Sequence, residues 1–398
     1  MKKVIALLLV GAMTLSMVAC GSGSGSSSSS SETTAAAAET EAEAAESAAE
    51  GDGSDVLATL TEGLTPFEER QTLRLGFFTG SPLSYPFLFA DKLGAFDALN
   101  IDVEYVCFTG GPAMMEANAE WDMASCGLGG LANGLYGYDF SLIDITDYEE
   151  NLAVFTREGS AIANDPENPE VWKGVTAVYP AGTTAQAVLA KYLNNMGLTL
   201  ADIESVNMDN SNALTGFNGG TGDVLACWNA IALSAEDEGY VRITDSGQLD
   251  IAMPCGTFAT RDMMENNFDL VLTSCILFHR AVEWVYASDE NMQQAADWYL
   301  EHCDEEGFLC NEDIAYRTME WYRGPSVDEW IKLYTETSPD DAGLYTKRDL
   351  LQAEKDILIG VDFFINEGKY TNEDRERYLD DNRIDPSVAV AAKELLGK

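Results

Sequence analysis

Between about residues 70 and 260, short apolar runs alternate with stretches of helical spacing. Leu73-Arg74-Leu75-Gly76-Phe77-Phe78 reads as a first strand. Ser84-Tyr85-Pro86 opens a helix, with proline where the first turn tolerates it. Phe87, Ala90 and Leu93 give that helix its apolar side, and Gly94 stops it. Residues 101–108 are a second strand, and Gly110-Gly111-Pro112 starts a helix holding Met114, Met115 and Ala117. Residues 122–126 and 140–146 are a third and a fourth strand. The pattern restarts at 175–179. Pro180-Ala181-Gly182 is a turn, and Thr183 or Thr184 caps the next helix. Ala185, Val188, Leu189, Tyr192, Leu193 and Met196 share one face of that helix. Residues 203–208 and 223–228 are further strands. This βαβ rhythm predicts mostly parallel sheets flanked by helices, in two α/β lobes of similar build. Beyond about residue 262 the spacing is helical, over 262–287, 290–303, 311–323, 326–337, 349–366 and 371–380. Trp284, Trp298, Trp321 and Trp330 within these stretches read as packing residues.

The N-terminus has a different pattern. Met1-Lys2-Lys3 precedes an apolar stretch, Val4 to Ala19, of 16 residues. That is short for a bilayer span of about 20 residues, and it suits an export signal. Leu15-Ser16-Met17-Val18-Ala19-Cys20-Gly21 resembles a bacterial lipobox, with Met17 where leucine is usual. The resemblance implies cleavage before Cys20, a lipid on its sulfur, and attachment to the bacterial cell surface or periplasmic membrane. The other reading is an ordinary secretory signal. Residues 21–55 are rich in Gly, Ser, Ala and Glu, with eight acidic residues and no basic or aromatic ones. Such a stretch cannot bury enough apolar area to offset chain entropy and reads as a flexible spacer.

Charge narrows the function. The chain of 398 residues has 23 Lys and Arg against 67 Asp and Glu, a formal charge of −44. Phosphate backbones and anionic lipid heads would be repelled, so no nucleic-acid partner is expected. The two histidines, His279 and His302, argue against histidine-rich metal sites and histidine-based catalysis. Seven cysteines follow Cys20, none in a C-x-x-C pair. Cys303 and Cys310 flank a short turn where a disulfide is one reading and buried free thiols the other.

Four stretches carry a resemblance to a known family. They are Ala90-Asp91-Lys92-Leu93-Gly94-Ala95-Phe96 with Ile101-Asp102-Val103-Glu104, and Thr109-Gly110-Gly111-Pro112-Ala113-Met114-Met115-Glu116-Ala117 with Trp121-Asp122-Met123-Ala124. Trp172-Lys173-Gly174-Val175-Thr176-Ala177-Val178 with Gly182-Thr183-Thr184-Ala185 is the third, and Asp223-Val224-Leu225-Ala226-Cys227-Trp228 the fourth. Ile384-Asp385-Pro386-Ser387 resembles the closing segment. In this order they resemble solute-binding proteins of ABC importers, in the nitrate/sulfonate/taurine and thiamine-precursor (pyrimidine) branch. The resemblance implies a two-lobed, type II periplasmic-binding-protein-like fold with a ligand cleft between lobes and a helical C-terminal part. Lobe one would be 56–150 plus 262–398 and lobe two 151–261, with crossing strands near 151–157 and 251–260. It also implies a monomer that delivers its solute to a membrane permease and its ATPase partner.

In parallel α/β sheets ligands bind beyond the carboxyl ends of strands. The loops 79–85, 109–112, 126–130 and 182–184 lie there. Expected ligand contacts are Phe78, Thr79, Ser81, Tyr85, Gly110, Gly111, Cys126, Gly127, Gly182, Thr183, Thr184 and Trp228. Helix starts at Pro112 and Thr183 offer free N–H groups to an oxyanion, and the threonines and serines add hydroxyls. Trp228 would stack on a ring or cover an alkyl chain. One stretch departs from the family: Asp144-Ile145-Thr146-Asp147-Tyr148-Glu149-Glu150 is acidic where small residues are usual. Carboxylates there favour a ligand bearing a protonated amine, amidine or aminopyrimidine-like group, with Asp147 as the sharpest candidate; the alternative is a solvated hinge surface. No catalytic residues, metal or cofactor are expected, since no Ser-His-Asp set, H-E-x-x-H or G-x-S-x-G is present. The rival classes are a surface sensory or adhesion protein on the same fold and, more remotely, a thiamine-precursor biosynthetic enzyme, whose Cys-rich run is missing.

Overall fold

The structure, a computed structural model, describes residues 54–398 apart from positions 79, 252, 323, 367 and 382 and the side chain of Asn133. The export signal, Cys20 and almost all of the spacer lie outside the described residues, as does the expected ligand contact Thr79. A helix over 54–61 opens the described chain and buries Leu60, so the spacer reading to residue 55 overlaps this helix by two positions.

Ten strands build two sheets. They are β1 (Gln71–Phe78), β2 (Ile101–Phe108), β3 (Met123–Gly127), β4 (Phe140–Tyr148), β5 (Leu152–Thr156), β6 (Thr176–Tyr179), β7 (Glu204–Asn207), β8 (Val224–Trp228), β9 (Val241–Asp245) and β10 (Pro254–Thr260). The first sheet has the order β2-β1-β3-β10-β4 and the second β7-β6-β8-β5-β9. In the first, β1 pairs parallel with β2 and β3, while β10 runs antiparallel to β3 and β4. In the second, β6 pairs parallel with β7 and β8, and β5 runs antiparallel to β8 and β9. Each sheet therefore has four strands pointing one way and one reversed strand that has arrived from the other sheet. Helices connect the parallel strands, as crossovers of that kind require. Residues buried on both faces of β3, β5 and β8 give near-continuous apolar runs, the mark of a covered sheet.

The chain crosses between sheets twice, at 149–151 and at 246–253. The expected second half ran to residue 261, but β10 is hydrogen-bonded into the first sheet, so the return crossing comes earlier. The two crossings are tied to each other. Ser246 Oγ donates to the Glu149 carbonyl oxygen at 2.9 Å, and the Glu149 N–H donates to the Met253 carbonyl oxygen at 2.9 Å.

Among the described residues eight helices follow β10, from Arg261 to Leu396; most pack on the first sheet and its helices, while the helix Glu312–Trp321 packs against the helix Asn229–Asp237 of the second. The last, Ser387–Leu396, lies beyond the stretches whose spacing had been read as helical. Trp330 is fully buried, and Trp284 stacks on Trp298 with ring centres 5.6 Å apart, as packing residues should. Trp321 differs: it is 42% exposed. At the centre of this packing His279 and Asp144 are fully buried, with His279 Nε2 2.9 Å from Asp144 Oδ1. The His279 ring also lies flat against Trp330, centres 4.7 Å apart, with Nδ1 2.8 Å from the Pro325 carbonyl oxygen. The seven cysteines of the described chain are free thiols. Cys303 and Cys310 thus follow the thiol reading and lie within hydrogen-bonding reach of each other. Among the described residues no single helix is long and apolar enough to cross a membrane.

Candidate functional site

The carboxyl ends of β1, β2 and β8 and the helix start after β7 converge on a pocket of about 520 Å³ lined from both sheets. Phe78, Ser81, Phe108 and Thr109 come from the first sheet and its loops; Asn210, Leu214 and Trp228 come from the second. Glu306, Phe308 and Leu309 close the rim from the turn after a late helix. A smaller recess of about 30 Å³ adjoins it, sharing Phe78, Ser81 and Trp228. Gly111, Pro112, Cys126, Gly127, Glu149, Thr183 and Thr184 complete the recess. Pockets of a few hundred Å³ between two lobes are the usual place for a small ligand.

Trp228 is held rather than loose. It ends β8, and the Asn210 amide grips its backbone from both sides: Asn210 Oδ1 accepts the Trp228 N–H and Asn210 Nδ2 donates to the Trp228 carbonyl oxygen, each at 3.2 Å. The next residue, Asn229, takes a left-handed conformation, φ 48°. Asparagine tolerates that region better than other side-chain-bearing residues, and such strain concentrates at functional sites. The turn aims the Asn229 side chain inward, where Nδ2 donates to Glu149 Oε1 at 3.2 Å and approaches Ser81 Oγ at 3.4 Å.

Glu149 is the buried charge of the recess. It is 4% exposed, and its second oxygen, Oε2, has no hydrogen-bond partner among the described residues. Burial pushes its carboxyl up to about 7, with Cys255, Asn229 and Thr184 pulling the other way. A carboxyl raised in the folded state stabilises the protein in its protonated form. That contribution is complete below the ordinary carboxyl range and is lost as pH rises through about 7. The expected result is that unliganded wild type loses stability relative to Glu149→Gln between pH 5 and pH 8 in chemical denaturation; parallel curves would place Glu149 in water.

The expected contacts fall into three groups. Phe78, Ser81, Gly111, Cys126, Gly127, Thr183, Thr184 and Trp228 line the pocket or its recess. Gly110 and Gly182 flank the recess without lining it. Tyr85 and Asp147 lie elsewhere. Tyr85 is fully buried behind Phe77, with its hydroxyl 3.0 Å from His302 Nδ1. Asp147 is buried opposite Cys255 in the β4–β10 pairing and reaches neither cavity. Asp144 belongs to the packing around His279. In the acidic segment it is Glu149 that faces the recess. The helix expected to be capped by a threonine begins at Thr184, yet Thr183 Oγ1 donates to the Pro180 carbonyl oxygen and makes no cap bond.

Residues that the sequence reading passed over are Asn210, Asn229 and Phe308. Asn210 follows β7, so the same strand-end rule would have found it. The described residues with a metal-ligand donor set are Cys107, His302 and Glu306, whose donor atoms lie within 4.8 Å of one another; Cys107 and Glu306 line the pocket, and His302 is buried behind them.

The fold has counterparts among solved structures. The chain superposes on a Candida albicans protein described as having the generic periplasmic binding protein fold, with TM-score 0.53 and 12% identity over 81% of this chain and 95% of that one. It has the periplasmic-binding-protein fold. The likeness extends to the alkanesulfonate-binding protein SsuA of Xanthomonas axonopodis pv. citri bound to MOPS, with TM-score 0.58 and 16% identity over 77% of this chain and 96% of that one. It extends also to the nitrate-binding protein NrtA of Synechocystis, with TM-score 0.61 and 13% identity over 82% and 89%. No family model and no curated relative matches the chain. In this binding-protein fold the pocket and its recess occupy the gap between the two sheets.

Proposed function

We propose that the protein is an extracellular solute-binding lipoprotein of an ABC importer. It captures a small organic solute, sulfonate- or taurine-like or aminopyrimidine-like, between its lobes and hands it to a permease and its ATPase partner. The observation that carries this reading is the pocket of about 520 Å³, walled by both sheets at their strand ends. A solute touching both walls favours the closed arrangement, and closure is the signal a permease can read. No bond in the solute changes. The signal segment and Cys20 would place the protein outside the membrane on a lipid, which raises its concentration near the permease. Cleavage and acylation at Cys20 are read by mass spectrometry of the exported protein; an unacylated N-terminus downstream of Cys20 rejects the anchor.

The test of capture is a thermal-shift screen of sulfonates, pyrimidines, amino acids and amines on the mature protein. At least one class should raise the unfolding temperature. For any hit that stabilises the protein, Trp228→Ala is expected to weaken binding about tenfold by calorimetry, the worth of one lost aromatic face. Unchanged affinity would move the ligand away from this wall.

A further inference from the structure

The walls of the pocket are chemically one-sided. Among the described residues lining the pocket and its recess there is no lysine, arginine or histidine. The lining includes four carboxylates: Asp209, Glu238 and Glu306 around the pocket, and Glu149 in the recess. Glu238 and Glu306 are exposed to water, which screens them, and the half-buried Asp209 carboxylate is bonded to Asn212. Glu149 is nine-tenths buried, and its Oε2 is unpartnered among the described residues. A buried carboxylate oxygen without a donor is costly, so the site is built for something that supplies one. The groups beside it supply only weak or neutral help: Asn229 is committed to the other oxygen, and the Thr184 hydroxyl and the Cys255 thiol favour the charged carboxylate without closing a full hydrogen bond to Oε2.

We infer that the solute presents a nitrogen-bound hydrogen, as an ammonium, amidinium or aminopyrimidine group, to Glu149 Oε2, with its apolar body between Phe78 and Trp228. This rests on reading the cleft as a solute site, and it chooses among the ligand classes named above. The recess admits one small polar group at its floor, beside Ser81 Oγ and the Asn229 amide. Trp228 and Phe78 stand at the join of the recess and the larger pocket, where a flat or alkyl body would lie. An inorganic anion or a lone sulfonate has no fixed cation to meet here and would face a carboxylate in low dielectric. The solved structures of similar fold include sulfonate and nitrate binders; the inference separates this chain from them in ligand charge while keeping their architecture.

The experiment compares mature wild type and Glu149→Gln by calorimetry and thermal shift. The probes are a set of amines, benzamidine and aminopyrimidines, against nitrate, taurine, benzenesulfonate and other alkanesulfonates. The inference expects a nitrogen-bearing probe to bind wild type, and simple sulfonates and nitrate not to bind. It expects Glu149→Gln to lose that binding at least tenfold while unfolding as cooperatively as wild type. Should the variant fail to fold, the wild-type preference still decides, with each nitrogen probe set against its hydroxyl isostere. Tighter binding of a sulfonate or nitrate than of every nitrogen probe, or an unchanged affinity in Glu149→Gln, overturns the inference and leaves solute capture standing. Absence of binding by every class overturns the capture reading and the inference with it.

Discussion

Replacing His279 with alanine is expected to lower the unfolding free energy by about 3–5 kcal/mol, measured by urea titration at neutral pH. The reason lies in what remains. Asp144 is fully buried on β4, and burial pushes its carboxyl above the usual range, with His279 offsetting that. The Pro325 carbonyl oxygen, 2.8 Å from Nδ1, accepts only, so that nitrogen carries a hydrogen. One further proton is then shared between Nε2 and Asp144 Oδ1, and either placement of it leaves both groups paired. Alanine removes the partner, the stacking against Trp330 and the bond to Pro325 together. Asp144→Asn is the contrasting variant. Its amide still donates to Nε2, and the loss should be well under half that of His279→Ala. Equal losses would show that charge, rather than hydrogen bonding, holds the pair.

The second large effect is expected at Gly129, at the start of the helix Leu128–Gly137. A Cβ there would lie 2.7 Å from the Gly182 carbonyl oxygen and 2.9 Å from Thr183 Cα. These are backbone atoms of the other sheet's loop, so no side chain can swing aside. Overpacking of this kind costs about 1–3 kcal/mol, and the cost falls on the arrangement with the two sheets close together. Gly129→Ala should therefore retain its unfolding cooperativity, scatter as a more extended particle, and bind a solute that stabilises wild type about 10–100-fold more weakly. A variant with wild-type scattering and affinity would show that the contact between Gly129 and Gly182 is not needed for capture.

Much of this architecture is legible in the chain because local pattern and tertiary role agree. The βαβ alternation yields the strands, and their carboxyl ends point to Phe78, Gly127, Thr184 and Trp228 without any knowledge of their neighbours. What fails is information that lies across the fold. Tyr85 sits in the right loop, but Tyr299, His302 and Cys303 arrive from a helix more than two hundred positions later and enclose it. Asp147 and Glu149 show a different limit. Alternation assigns faces only along a regular strand: Asp147 lies within β4, paired opposite Cys255, whereas Glu149 stands one residue past the end of β4 at Tyr148, on the crossing between the sheets. Where the strand stops is set by its pairing with β10, so parity along the acidic segment does not say which carboxylate faces the recess. Asn229 directly follows the strand ending at Trp228, so the strand-end rule reaches it; its left-handed turn, fixed by the Asn210 and Asn151 contacts around it, is what the sequence does not show.

Glu149 lies on the first of the two connections that join the sheets, and that connection is bonded to the second through Ser246 and Met253. When two bodies swing about an axle, a point on it barely travels, while the outer walls sweep the farthest. In the proposed capture the carboxylate would meet its guest in the same geometry whether the jaws are wide or shut. Selection by the guest's nitrogen would come first, at the fulcrum, and the grip of Phe308 and Leu309 at the rim would come after.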